Sequence, residues 1–242
     1  MSGLSAVTEQ LSLFDADVAP TGPGDLEGLL AGPGQVVRLG GTARVSVVVE
    51  DAWRVRALLA EFAERGVTEN PEPTAVIGPR GASRPAPGVV AAVEGHIGVR
   101  TAFAASLAPV AARWSHGATT RPPDDFVLDG PRLRLWFLAA GRAVGPPGRP
   151  TQGVVLRLSP GDEAAWPPVR RALAQVGLPA ALLGPRAGGP AFRIVGRRRV
   201  TRFVELIGAK PPEVPDEAWP RTVSEPAGSG SVTETARVAR AT

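Results

Sequence analysis

The chain has 242 residues, no cysteine, two histidines and a net charge of +4. Disulfides and thiolate metal centres are thereby excluded and a histidine-rich zinc site has too few ligands, while the length suits one large domain or two fused small ones. No apolar run is long enough to cross a bilayer, and the opening MSGLSAVTEQ has neither a basic nor an apolar signal region, so a soluble cytoplasmic protein is expected.

Residues 1–24 form a leader rich in Pro, Gly and Ser, a composition that cannot pack a core and is expected to be disordered. It contains Gln10-Leu11-Ser12-Leu13-Phe14, followed by Asp15 and Asp17. This pentapeptide resembles the motif by which bacterial replication and repair proteins dock into the hydrophobic cleft of the sliding clamp, the DNA polymerase III beta subunit. The physics fits: an extended segment places Leu13 and Phe14 in an apolar pocket while Gln10 supplies directional hydrogen bonds.

A first structural half is expected over 25–114. A short helix from Leu26 to Gly34 leads to strands Val36–Leu39 and Arg44–Val49 around a tight Gly40-Gly41-Thr42 turn. Asp51 stands at the N-cap of a helix with Val55, Leu58, Leu59 and Phe62 at helical spacing and Gly66 after its last turn. A second pair of strands is expected at Val76–Arg80 and Val89–Val93, then a helix ended by Pro109.

Residues 115–129, rich in Pro, Thr and Asp, are a linker to a second half over 130–210 that repeats the same order. It opens on PRLRLWFLAAGRAVG, Pro131 to Gly145, apolar on nearly every side and therefore expected to be a buried helix, with Gly141 offered as a left-handed cap. The Leu-Leu-Ala-Gly chemistry of Leu29–Gly32 recurs there, which pairs the two helices at the centre of the molecule. A strand at Val154–Leu158, a helix from Trp166 to Val176, an echo of Val76–Arg80 at Leu182–Arg186, and a helix from Arg198 to Ile207 complete the duplication. Residues 211–242 are expected to be a disordered tail, with Trp219 the one candidate for order.

The duplicated pattern of bulky apolar run, small residue and Gly, followed by strands and a helix, resembles the LAGLIDADG homing-endonuclease fold. Asp25–Pro109, most visibly DLEGLLAGPGQVVRLGGTARVSVVVEDAWRVRALLAEFAERGV, resembles the first half of the catalytically inactive WhiA-like branch, and Trp136–Pro212 resembles its second half. The C-terminal helix-turn-helix of that branch has no counterpart in Pro211–Thr242. The resemblance implies an α+β fold: two helix-β-β-helix-β-β-helix halves related by a pseudo-two-fold axis, with a central helix pair and saddle-shaped antiparallel sheets whose outer face lies against duplex DNA.

It also implies where a nuclease would hold metal, on one carboxylate at the base of each central helix. Those positions read Leu138-Ala139-Ala140-Gly141 and Leu30-Ala31-Gly32, while Asp25 and Glu27 stand at the opposite end of the first helix. No metal, cofactor or catalytic residue is therefore expected. Residues 1–30 carry five acids and no Lys or Arg, and 211–242 carry five acids against three bases, so the positive excess lies in the body between them. Alternation points Arg38, Arg44, Arg157 and Arg193 away from the apolar face, and Arg142, Arg149, Arg186, Arg197, Arg198 and Arg199 surround the rim as candidate phosphate contacts. The reading is a non-catalytic, nucleoid-associated DNA-binding protein recruited to the clamp in replication or repair. A WhiA-like transcription regulator is the alternative, and a metal-dependent endonuclease the third.

Overall fold

The computed structural model describes residues 21–68, 88–93, 96–117, 119–160 and 163–222. Gln10–Phe14 and Val76–Arg80 lie outside them.

The first half begins with a single 3-10 turn, Pro23–Leu26, that runs into helix α1, Glu27–Ala31. Strands β1, Gln35–Leu39, and β2, Thr42–Val49, follow as a hairpin. Gly40 and Gly41 sit at φ +52° and +81°, the left-handed pair that a two-residue turn needs to match strand twist. Helix α2, Ala52–Glu64, starts after Asp51 as expected, but the Asp51 carboxylate takes Arg54 Nε instead of a helix N–H. The second strand pair is β3, Val89–Val93, with β4, His96–Arg100. Sequence reading missed β4 because Gly98 and the flanking His96 and Arg100 weaken its apolar alternation. Pro109 begins rather than ends helix α3, Ala108–Trp114: proline lacks the N–H that a first-turn residue has no use for.

The linker is partly built. It holds a two-residue-per-strand ladder, β5, Ser115–His116, with β6, Thr119–Thr120, and it buries Phe126 and Leu128. Phe126 meets Trp114 edge-on at 5.2 Å. The second half is α4, Gly130–Ala140; β7, Gly141–Val144; β8, Gly153–Arg157; α5, Trp166–Gln175; β9, Ala181–Leu183; β10, Ala191–Val195; and α6, Arg197–Ile207. Gly141 is extended at φ −87°, not left-handed, because the chain passes from α4 straight into β7. The two sheets are ordered β1-β2-β4-β3 and β7-β8-β10-β9, the same antiparallel arrangement twice, so the duplication holds at the level of topology.

Helices α1 and α4 pack together at the centre. Leu133, Leu135, Trp136, Phe137 and Leu138 of α4 are fully buried. A side chain on Gly28 would overlap the Arg132 carbonyl, and one on Gly32 would overlap the Trp136 indole, so glycine sets the approach of the two helices. Trp136 Nε1 donates to the Arg157 carbonyl at 2.8 Å, fastening α4 to β8.

The expected disorder from Pro211 onward does not hold for Pro211–Thr222. Trp219 is 7% exposed and lies 5.4 Å from Phe137, which also meets Phe203 of α6 at 5.5 Å. Val214 is buried, and Arg221 and Thr151 exchange hydrogen bonds at 2.9 Å, which returns the segment to the β7–β8 loop. The apolar surface that Phe137 and Phe203 leave uncovered is the physical reason the segment is ordered.

Candidate nucleic-acid interface

Pairing registers decide which strand residues face away from the helices. In the first sheet Ala43, Val45, Val47 and Val49 are buried, so Thr42, Arg44, Ser46 and Val48 point outward. Their partners follow: Leu39, Val37 and Gln35 on β1, and Arg100 and Gly98 on β4. In the second sheet Val154, Leu156, Phe192 and Ile194 are buried, and Arg142, Val155, Arg157, Arg193 and Val195 point outward. Arg142 and Arg193 stand directly opposite Val155 on its two sides. Val155 is nonetheless only 7% exposed between them, and long arginine stems can cover apolar surface in this way while keeping the charged head in water.

Of the ten arginines expected from sequence, the structure brings Arg44, Arg142, Arg157 and Arg193 to this outer surface. Arg142 belongs to β7 itself and not to a loop. Arg44 lies over the Phe103 ring at 4.4 Å, which fixes its stem. Arg149 is exposed in the β7–β8 loop and Arg186 in a 3-10 turn after β9, both outside the strands. Arg38 is a correction. It pairs with Ala43, on the side of the helices, because Val37 and Leu39 are the residues turned outward, 48% and 62% exposed. Arg197, Arg198 and Arg199 are exposed but open α6 in the helical layer behind the sheet.

Arg100 was missed. It holds the place in the first sheet that Arg193 holds in the second: Arg100 is opposite Ser46 of β2 as Arg193 is opposite Val155 of β8. Aligning the two halves by strand order is the signal that finds it. By the same register Val48 corresponds to Arg157.

Where the halves meet, Arg157 Nη1 donates to Glu50 Oε1 at 2.8 Å, with His96 Nε2 at 3.9 Å from the same oxygen. The hydrogen bond and charge of Arg157 hold the Glu50 carboxyl below the usual carboxylate range. Strands β1, β2, β4, β7, β8, β9 and β10 contain no acid; Glu50 is the residue directly after β2.

The base of α4 is closed by a cation. Arg54 donates through Nη1 to the carbonyls of Phe137 at 3.2 Å and Leu138 at 2.8 Å, and through Nη2 to that of Gly141 at 2.7 Å. Its charge complements the helix C-terminus, and the guanidinium also lies over the Trp53 ring at 4.4 Å. Burial pulls its pKa down, opposed by Asp51. Nothing in the sequence singled Arg54 out, since its partners are backbone carbonyls some eighty residues away.

Asp25 and Glu27 are committed at the other end of the helix pair. Asp25 accepts from Gly22 N and from Arg65 Nε, both at 3.0 Å. Glu27 takes Arg132 Nε at 3.2 Å and Arg113 Nε at 3.3 Å. Glu61 joins them, taking Arg65 at 2.7 Å and Arg134 at 2.6 Å. Glu27 and Glu61 are buried and Asp25 partly so, and each meets two donors, the condition under which buried charge is tolerated. Among the described residues no group of three His, Asp or Glu side chains is placed to hold a metal ion.

No protein-family model and no curated protein matches the chain. Solved structures do. The homing endonuclease I-WcaI bound to its DNA recognition sequence superposes with a TM-score of 0.54 at 12% identity, over 81% of this chain and 83% of that one. The N-terminal LAGLIDADG domain of WhiA gives 0.50 at 15% identity, over 80% of this chain and 88% of that one. Full-length WhiA from Thermatoga maritima gives 0.50 at 14% identity over 78% of this chain, which spans 55% of that longer protein. The fold is LAGLIDADG-like, as the duplicated sequence pattern led one to expect.

Proposed function

We propose that the protein binds duplex DNA on the outward face of its two sheets and does not cleave it. The observation that carries this reading is the set Arg44, Arg100, Arg142, Arg157 and Arg193 on that face, with Glu50 the one acid beside it among the described residues. The strands of a curved antiparallel sheet fit a major groove, and cations that meet phosphates displace condensed counterions. A neighbour of the same fold is bound to its DNA recognition sequence. The non-cleaving reading is supported by the base of α4, where Ala140 and Gly141 supply no metal ligand side chain and Arg54 already takes the carbonyls of Phe137, Leu138 and Gly141.

Titration of labelled duplex against salt tests the reading. Replacing Arg44 and Arg149 by Ala should lower the slope of log affinity against log salt by about two. An unchanged slope in a folded variant places the DNA elsewhere. Plasmid incubated with magnesium or manganese should stay intact.

Gln10–Phe14 supports a second component, a tether to the bacterial sliding clamp that would place this activity in replication or repair. A peptide spanning Thr8–Val18 should bind the clamp at micromolar concentrations. If it does not bind at high micromolar concentration, a WhiA-like role in transcription becomes the better reading of the same DNA-binding face.

A further inference from the structure

The two outward faces differ in chemistry. On the second sheet Arg142, Arg157 and Arg193 point outward, with Val195 at the end of β10 39% exposed. On the first, the counterpart of Arg157 is Val48, 57% exposed and opposite Gly98, which has no side chain to cover it. Val37 and Leu39 form a second apolar patch on β1, 48% and 62% exposed, with Gln35 and Ser46 between it and Val48. A solvated sheet face ordinarily carries polar residues, so three uncovered aliphatic side chains in outward register require a partner. Arg44 stands opposite Val37 and Thr42 opposite Leu39, so that partner must present anionic and apolar groups within a few ångströms of each other.

The major groove does this at thymine, whose C5-methyl lies between phosphate rows, whereas guanine offers N7 and O6 to arginine. We infer that the halves read unlike half-sites: β1 and β2 contact thymine methyls through Val37, Leu39 and Val48, and β7, β8 and β10 contact guanine through Arg142, Arg157 and Arg193. This rests on the duplex-binding reading above and names its sequence preference. The bound site is asymmetric, with thymine in one half and guanine in the other.

The test starts from duplexes selected by the full-length protein from a random library. Replacing each selected thymine by deoxyuridine removes one methyl and leaves every hydrogen-bonding group in place. Affinity should fall about threefold to fourfold per contacted methyl, and only in one half-site. Replacing guanine by 7-deazaguanine should weaken binding only in the other. In a protein carrying Val37→Ser and Leu39→Ser the deoxyuridine effect should shrink while the salt slope stays the same; both residues are exposed, so the core is untouched. Tight binding that is indifferent to deoxyuridine in either half overturns the inference alone. Failure to select any duplex overturns the duplex reading and this inference together.

Discussion

Glu50 is placed to weaken the surface it belongs to. Its carboxylate neutralises Arg157 and faces the same way as the other cations. Glu50→Gln should therefore bind duplex DNA several-fold more tightly, about fivefold if Arg157 is freed for a guanine contact worth about 1 kcal/mol. Both partners are more than half exposed, so thermal stability should change little. The folded-state pKa of Glu50 is lowered, so the pair is present above the unfolded carboxylate pKa and lost only as pH falls through the lowered value. The gain in the variant should thus be the same at about pH 6 and about pH 8. A loss of affinity, read by fluorescence anisotropy, would mean that Glu50 instead positions Arg157 for contact.

Among the elements, Pro211–Thr222 makes the clearest claim. Trp219→Ala removes the ring packed on Phe137 and should cost about 3 kcal/mol, measured by denaturant unfolding; a cost below about 1 kcal/mol would show that the segment is only loosely applied. This packing was hard to read in advance because a lone Trp among prolines carries no period. The central helices, the Gly40-Gly41 hairpin, α2 and α6 were legible because each has a full apolar repeat and a glycine at its end. β7 was not, since it starts on the residue after α4 with no turn between them. Arg38 was assigned to the wrong face for a related reason: alternation gives two faces but not which is buried, and on β1 the outward one is apolar. At the site, Arg157 and Arg193 could be read from sequence as outward strand residues, whereas Arg142 was expected in a loop, and Arg100, Glu50 and Arg54 depend on pairings between distant segments.

For the whole molecule, the contacts between halves decide what can exist alone. Arg54 holds carbonyls of α4, Glu61 holds Arg134, and Glu27 holds Arg132. Residues 1–114 produced separately would leave each of these charges with fewer partners and Leu26, Leu29 and Leu30 uncovered. Such a fragment should give collapsed, poorly dispersed proton NMR spectra; sharp native-like spectra would contradict the interdependence. The seam adds a further constraint. Gly32 leaves a hollow on one side and Trp136 is the projection that fills it on the other, while Gly28 admits the Arg132 backbone. Two copies of the first half would set hollow against hollow and leave a void the size of an indole. Two copies of the second would bring two indoles to the space of one. Each half therefore accepts its complement and rejects itself, so fragments mixed in solution would sort into unlike pairs, and the intact chain has a head and a tail fixed by its own packing.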